Sequence, residues 1–348
     1  MPDLLLHIGH HKTGSTFIQN TLRANQDVLS DRGVIYPDRG NNPRKNPFTG
    51  VAAGNAKDFL KSKNSVAGKL ANLQSPVRQN LLLSSEGLLG EMCRHDNLDF
   101  LANAATDLGY DRIRVLLFIR NPIGNAVSVW QQDIKTGSTS TIEESFSTFS
   151  QPDVVANFFD MVTPTDFLEV TVRNYSRCTE PIIDAVAAWL DIPRDVLTKL
   201  PVTKVNRSLS QGELALKLAL NRVLGTNCSF YIKAINERLS ELEVGETRPS
   251  LEAQRELVER LQPAMDRVNA RIPAEAHYQP DYAEPRPLAD SFEFTSAQLE
   301  VVAESLGGEI LRLRRSRDAP PSKLWAKRFS DALLKGVRRG VGRGRFEA

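Results

Sequence analysis

No stretch of this chain approaches the roughly 18 uninterrupted apolar residues of a membrane-spanning helix, which argues against an integral membrane protein. Cysteine is scarce. Cys93, Cys178 and Cys228 are odd in number and far apart, so neither a disulfide framework nor a zinc spacing fits them. Such usage suits a reducing cytosol. The opening residues Met1–His7 lack a basic flank, and their apolar run is too short for a signal peptide. No internal repeat is visible. No carboxylates and histidines cluster at ligand spacing, so no metal is expected. Nothing marks a nucleic-acid binder. A cytoplasmic protein of ordinary globular composition is the expectation.

A large excess of one charge is also missing, with a net +2 over 348 residues. The balance is uneven. Residues 309–348 hold 12 Lys/Arg against 4 Asp/Glu, a local +8 that leaves −6 for residues 1–308. Such a tail, with Leu324, Trp325 and Phe329 among its charges, suits a solvated end. It also suits contact with an anionic partner or the inner surface of a membrane.

Four apolar runs read as buried strands: Leu4–Ile8, Leu81–Gly87, Arg114–Arg120 and Phe167–Val172. Gly33–Pro37 reads as a short edge strand ended by proline. Helical stripes fall between them: Phe17, Ile18, Thr21 and Leu22; then Ala126, Val127, Trp130 and Ile134; then Ile182, Ala185, Val186, Trp189 and Leu190. Asn121 as N-cap and Pro122 at the first helical position start the second of these. Strands alternating with helices imply an α/β fold, a parallel sheet of four to five strands covered on both faces. After residue 210 only helices are expected, over 213–224, 251–271 and 296–316, the last with Thr295 and Gln298 at capping-box spacing. The expected division is a nucleotide-binding core over 1–225, a helical annex over 226–317 continuous with it, and the basic tail 318–348. Residues 38–65, rich in Gly, Asn, Pro and Lys, read as a loop.

Ligands in such sheets bind beyond the carboxyl ends of the strands, where helix N-termini offer free N–H groups. Gly9-His10-His11-Lys12-Thr13-Gly14-Ser15-Thr16 lies there, between the first strand and first helix. Its glycines have Walker A spacing, but Ser15 stands where the lysine belongs, and Lys12 lies inside the loop. The cradle of N–H groups survives, while the lysine that bridges the phosphates of ATP does not. A second pair, Arg120 at a strand end and Ser128 eight residues on, can hold a further phosphate.

These residues resemble the sulfotransferases that use 3′-phosphoadenosine 5′-phosphosulfate (PAPS). His11-Lys12-Thr13-Gly14-Ser15-Thr16-Phe17 is similar to their 5′-phosphosulfate loop. Arg120-Asn121-Pro122 through Ser128 is similar to their 3′-phosphate motif, about a hundred residues later. Ser84-Ser85-Glu86, Trp130-Gln131-Gln132 and Val205-Asn206-Arg207-Ser208-Leu209-Ser210 look like the bacterial branch. The resemblance spans residues 4 to about 225. Two departures exist: Phe17 stands where many members have Trp, and Glu86 where many have a catalytic histidine. Both point toward the carbohydrate-type and bacterial members.

The resemblance implies a P-loop-like fold and metal-independent transfer of a sulfuryl group from PAPS to a hydroxyl or amine. A carbohydrate or glycan-like acceptor is the first expectation. Lys12 would neutralise the leaving 5′-phosphate. Thr13, Gly14, Ser15 and Thr16 would hold that phosphate, and Arg120 and Ser128 the 3′-phosphate. Glu86 is the candidate base, with His10 and His11 as rivals, and Asn206, Arg207 and Ser208 would close over the nucleotide. Ser208 or Ser210 equally suits an ordinary helix N-cap. His7, on a buried strand, reads as a core histidine, and Trp130 as core. Two other readings stay open: a nucleotide-dependent kinase with a degenerate Walker loop, and a non-catalytic module that binds a nucleotide or anionic glycan.

Overall fold

The computed structural model describes residues 2–37, 54–56, 59–60, 66–73, 79–94, 96–162, 167–197, 208–224, 229–239, 242, 247–288, 291 and 293–317. In chain order its elements are β1 (Leu4–Gly9), α1 (Ser15–Ala24), α2 (Gln26–Asp31), β2 (Val34–Ile35), α3 (Val66–Ala71), β3 (Asn80–Ser85), α4 (Gly87–Met92), α5 (Asn97–Asp107), β4 (Ile113–Ile119) and α6 (Pro122–Thr136). There follow α7 (Ile142–Thr148), α8 (Gln151–Met161), β5 (Leu168–Asn174), α9 (Ile182–Trp189), α10 (Gln211–Leu224), α11 (Ser229–Arg238), α12 (Leu251–Asn269) and α13 (Ser296–Arg317).

The five strands form one parallel sheet in the order β2-β3-β1-β4-β5. β1 is the central strand, with Leu6 level with Leu83 on one side and Val115 on the other. All six of its residues are buried. That is why it reads as a run and not as an alternation: both faces of the sheet are covered. Leu4, Leu6 and Ile8 face one apolar core, shared with α4, α5, α6, α8 and α12. Leu5 faces the other, with Ile18, Leu22, Leu29, Ile183, Val186 and Trp189. Each such side chain contributes about 1.5–3 kcal/mol of transfer free energy. Helices on both faces make the three-layer sandwich expected, with a helical C-terminal region.

α12 belongs to the first core. Leu257, Val258, Leu261, Ala264, Met265 and Val268 are buried in it, so residues after 225 continue the packing of the sheet. Ser250 caps α12 through the amide of Ala253. The capping box before α13 is present: Thr295 Oγ1 accepts from the Gln298 amide, and Gln298 Oε1 from the Thr295 amide. No helix among the described residues is long and apolar enough to cross a membrane.

Three sequence expectations change. The helices α2, α3, α4, α5, α7, α8 and α11 were not anticipated. Asn121 does not cap α6 with its side chain. Its Oδ1 instead accepts from Asn174 Nδ2 and from the Gln279 amide, and an amide oxygen engaged there cannot also turn to α6. The loop expected over 38–65 lies mostly outside the described residues. Its described part is not a solvated surface: Asn55, Ala56, Phe59 and Leu60 are buried, and Asn55 brackets the end of β3 through the Leu82 carbonyl and the Ser84 amide.

Candidate nucleotide site

The winding reverses at β1, since β2 and β3 lie on one side and β4 and β5 on the other. In a parallel sheet this opens a crevice at the carboxyl edge. Three sequence-predicted features meet at that edge, the loop after Gly9, Glu86 after β3 and Arg120 after β4, and Tyr175 after β5 joins them.

The loop is built by backbone geometry. Lys12 has φ 66° and Gly14 φ 82°, both left-handed. Glycine takes that conformation freely, whereas at Lys12 it is strained and must be held. Thr13 Oγ1 donates to the His10 carbonyl at 2.7 Å, and Arg120 Nη1 donates to the Lys12 carbonyl at 3.1 Å. Asn125 Nδ2 donates to the His11 carbonyl at 2.9 Å. The Thr13 hydroxyl is therefore spent inside the loop, which leaves only its amide for a ligand. Gly14 caps α1, and among the described residues no side chain caps the first amides of the helix. Ser15 is buried and Thr16 half-buried in that first turn. The result is an N-terminus with free donors and a positive dipole end.

Helix α6 runs beside the loop. Gly124, Ser128 and Gln132 recur at four-residue spacing and so share one stripe of it. An added Cβ at Gly124 would lie 3.7 Å from Arg120 Nη2. At the other end of the stripe, Lys12 Nζ donates to Gln132 Oε1 at 3.3 Å. Ser128 therefore stands between the guanidinium and the ammonium contact. It is half-buried, and its side chain makes no hydrogen bond with the described residues. Burial holds the Lys12 pKa below its ordinary value, with the Arg120 charge acting in the same direction against the pull of Glu86. The guanidinium of Arg120 also lies over the Tyr175 ring at 5.6 Å.

Glu86 and His11 form a pair, His11 Nδ1 to Glu86 Oε2 at 3.3 Å. The hydrogen bond to Glu86 raises the His11 pKa above 6.5 against the effect of burial. For Glu86, burial pushes upward, but the hydrogen bond and charge of His11, the hydrogen bond of Ser15 and the charge of Lys12 outweigh it and the pKa falls. Both side chains are well exposed, 54% for His11 and 37% for Glu86, so the pair contributes little to stability. His10 is different. It is fully buried, its Nδ1 lies 3.2 Å from both the His11 carbonyl and Asn125 Nδ2, donating to the first in one tautomer and accepting from the second in the other, and burial lowers its pKa to about 3. It presents no surface to an acceptor.

His7 is a core group, as expected. Its Nδ1 meets Ser84 Oγ at 2.8 Å, and burial lowers its pKa to about 4. Trp130 is buried, with its indole donating to the Ser140 carbonyl. Ser210 makes a reciprocal capping box with Glu213 at the start of α10. Ser208 is half-buried just before it. Asn206 and Arg207 lie outside the described residues, as do Lys204, Cys228 and the tail 318–348. Sequence reasoning missed Asn125 as the brace of the loop and Gln132 as the partner of Lys12. The four-residue stripe through Ser128 was the available signal for Gln132.

Comparisons with family models, with curated proteins and with solved structures return no match.

Proposed function

We propose that the chain is a sulfotransferase that moves a sulfuryl group from PAPS to a hydroxyl of a glycan-like acceptor. One observation carries most of this reading. Arg120 donates to the Lys12 carbonyl across 108 residues of sequence, so the two anion motifs form one site with Ser128 between them. Two separate donor groups suit a nucleoside phosphorylated at both ends, and Ser15 in place of the Walker lysine disfavours a nucleoside triphosphate.

In this reading the free amides at the start of α1 hold the 5′-phosphate, and Arg120 and Ser128 take the 3′-phosphate. Lys12 leaves Gln132 and neutralises the charge that builds on the 5′-phosphate oxygen as its bond to sulfur breaks. The acceptor oxygen forms the new bond to sulfur, and its proton passes to His11 Nε2. Glu86 holds the opposite ring nitrogen and stabilises the imidazolium, a positioning role. The nucleotide 3′,5′-bisphosphate departs with the electron pair of the broken bond.

Thermal-shift titration tests the site. 3′-Phosphoadenosine 5′-phosphate is expected to raise the melting temperature more than ADP with Mg²⁺ at equal concentration. Stabilisation by ATP with Mg²⁺ and none by the bisphosphate would replace this reading with the kinase.

A further inference from the structure

α1 begins with bare amides, but α6 does not. The carboxylate of Asp281 sits on the first turn of α6, with Oδ1 3.0 Å from the Ile123 amide and Oδ2 2.9 Å from the Gly124 amide. It comes from the irregular segment after α12, more than 150 residues away in sequence. Gly124 lies between this carboxylate and Arg120. A Cβ there would be 2.8 Å from Asp281 Oδ2, 3.7 Å from Arg120 Nη2 and 3.8 Å from Arg120 Nε. Carboxylate and guanidinium thus flank a single glycine, which has no side chain to separate them.

The segment that carries Asp281 is fixed on both sides. Before it, Asn174 Nδ2 donates to the His277 carbonyl, the Gln279 amide donates to Asn121, and Asn269 exchanges two bonds with Tyr278. After it, Gln254 exchanges two bonds with Ala283. Asp281 is therefore delivered to α6 from a preorganised support. Arg120 is bounded on three sides: the Lys12 carbonyl, the Tyr175 ring and, across Gly124, the Asp281 carboxylate.

We infer that Asp281 is a positioning residue of the nucleotide site, which fixes the start of α6 and the Arg120 guanidinium for the ligand's second phosphate. The inference rests on the PAPS reading and deepens it. A guanidinium already ordered loses less entropy when a phosphate binds. Asp281 would then act only on ligands that carry that phosphate, and only through Arg120.

Calorimetric titration of wild type, Asp281→Asn, Arg120→Ala and the double variant tests this, with 3′-phosphoadenosine 5′-phosphate and ADP as probes. Asp281→Asn keeps the shape and one acceptor, so the fold should persist. Its expected effect is about tenfold weaker binding of the bisphosphate, with ADP changed less than about twofold, and no further loss in the Arg120→Ala background. Equal weakening of both nucleotides, or full additivity in the double variant, would reduce Asp281 to a structural cap and overturn the inference. Tighter binding of the bisphosphate would overturn it too, since the carboxylate would then be a competitor. Wild type that binds neither nucleotide sinks the sulfotransferase reading instead. Positioning is in that case read from the Arg120 Nε–H resonance of ligand-free, arginine-labelled protein. A shift in Asp281→Asn supports it, and a resonance identical to wild type overturns it.

Discussion

Replacing Gly9 by alanine tests how tightly the strand end is built against Glu86, the partner of His11. Gly9 closes β1 and has an ordinary backbone, so no conformational penalty is involved. Space decides the outcome. A Cβ at Gly9 would lie 2.4 Å from Glu86 Cα, 2.7 Å from its Cγ and 2.9 Å from its Cβ. Carbon atoms pack favourably at about 3.5–4.0 Å, so the backbone at Glu86 must retreat by about 1 Å. That backbone joins β3 to α4 and cannot swing aside like a side-chain tip. Overpacking of this kind costs about 1–3 kcal/mol, which lowers the melting temperature by several degrees in a chain of this size. Gly90→Ala is the control. Gly90 lies in α4 with nothing within 4 Å of an added Cβ, so alanine there should stabilise by up to ~1 kcal/mol through helix propensity. Thermal melts of the two variants beside wild type should move in opposite directions. A Gly9→Ala protein that melts at or above the wild-type temperature would refute the close approach of β1 to Glu86.

Lys12→Met should lower sulfuryl transfer by about 10²–10³-fold while bisphosphate affinity falls far less, measured by turnover and calorimetry; equal losses in both would make Lys12 a binding group only. If His11 takes the proton, transfer rises as the pH climbs through its raised pKa. Glu86→Gln removes the main cause of that rise, so the acidic limb of the rate profile should move to lower pH as the maximum rate falls. A profile displaced the other way contradicts the pairing. His7 is held at about 4 when folded against 6.5 ordinarily, so between those values the unfolded chain binds the extra proton and stability falls with falling pH. That loss approaches ~2–3 kcal/mol by pH 4. Urea unfolding of His7→Gln at pH 7 and pH 4.5 should show a smaller acid loss than wild type, and an unchanged loss would clear His7 of the effect.

The sheet was legible because its central strands are buried on both faces. Leu4–Ile8 and Val115–Ile119 carry no polar alternation to confuse with a helix. The short helices were not legible. Six residues, as in α2, α3 and α4, span less than two turns and give no stable period. For α7 a signal existed and went unread: Thr141 and Glu144 form a reciprocal capping box. In the site, the loop and Arg120–Ser128 were visible as spacing, because each lies within one strand–helix junction. The His11–Glu86 pair and the Lys12–Gln132 contact join residues 75 and 120 apart, and no local pattern encodes them. Asn121 had the right residue type for an N-cap and the wrong partner, since Asn174 and Gln279 compete for its oxygen.

The two helix starts at the sheet edge have been given different solutions, and that difference bears on how the site works. Each begins beside a strand end, where a helix's own backbone leaves its first amides without partners. At α1 no side chain among the described residues caps the helix, so those donors are open to water or to an anion. At α6 the chain supplies its own anion, Asp281, which removes that N-terminus as a landing place for phosphate. Anion binding beside α6 then falls to side chains, Arg120 and Ser128, aimed from the flank of the helix. Backbone amides recognise any phosphate; a fixed guanidinium and hydroxyl recognise one at a set distance from the first. In the proposed reading the α1 end supplies affinity and the α6 flank supplies discrimination. Because Asp281 comes from the segment after α12, the proposed reading makes the helical region after residue 225 part of the site.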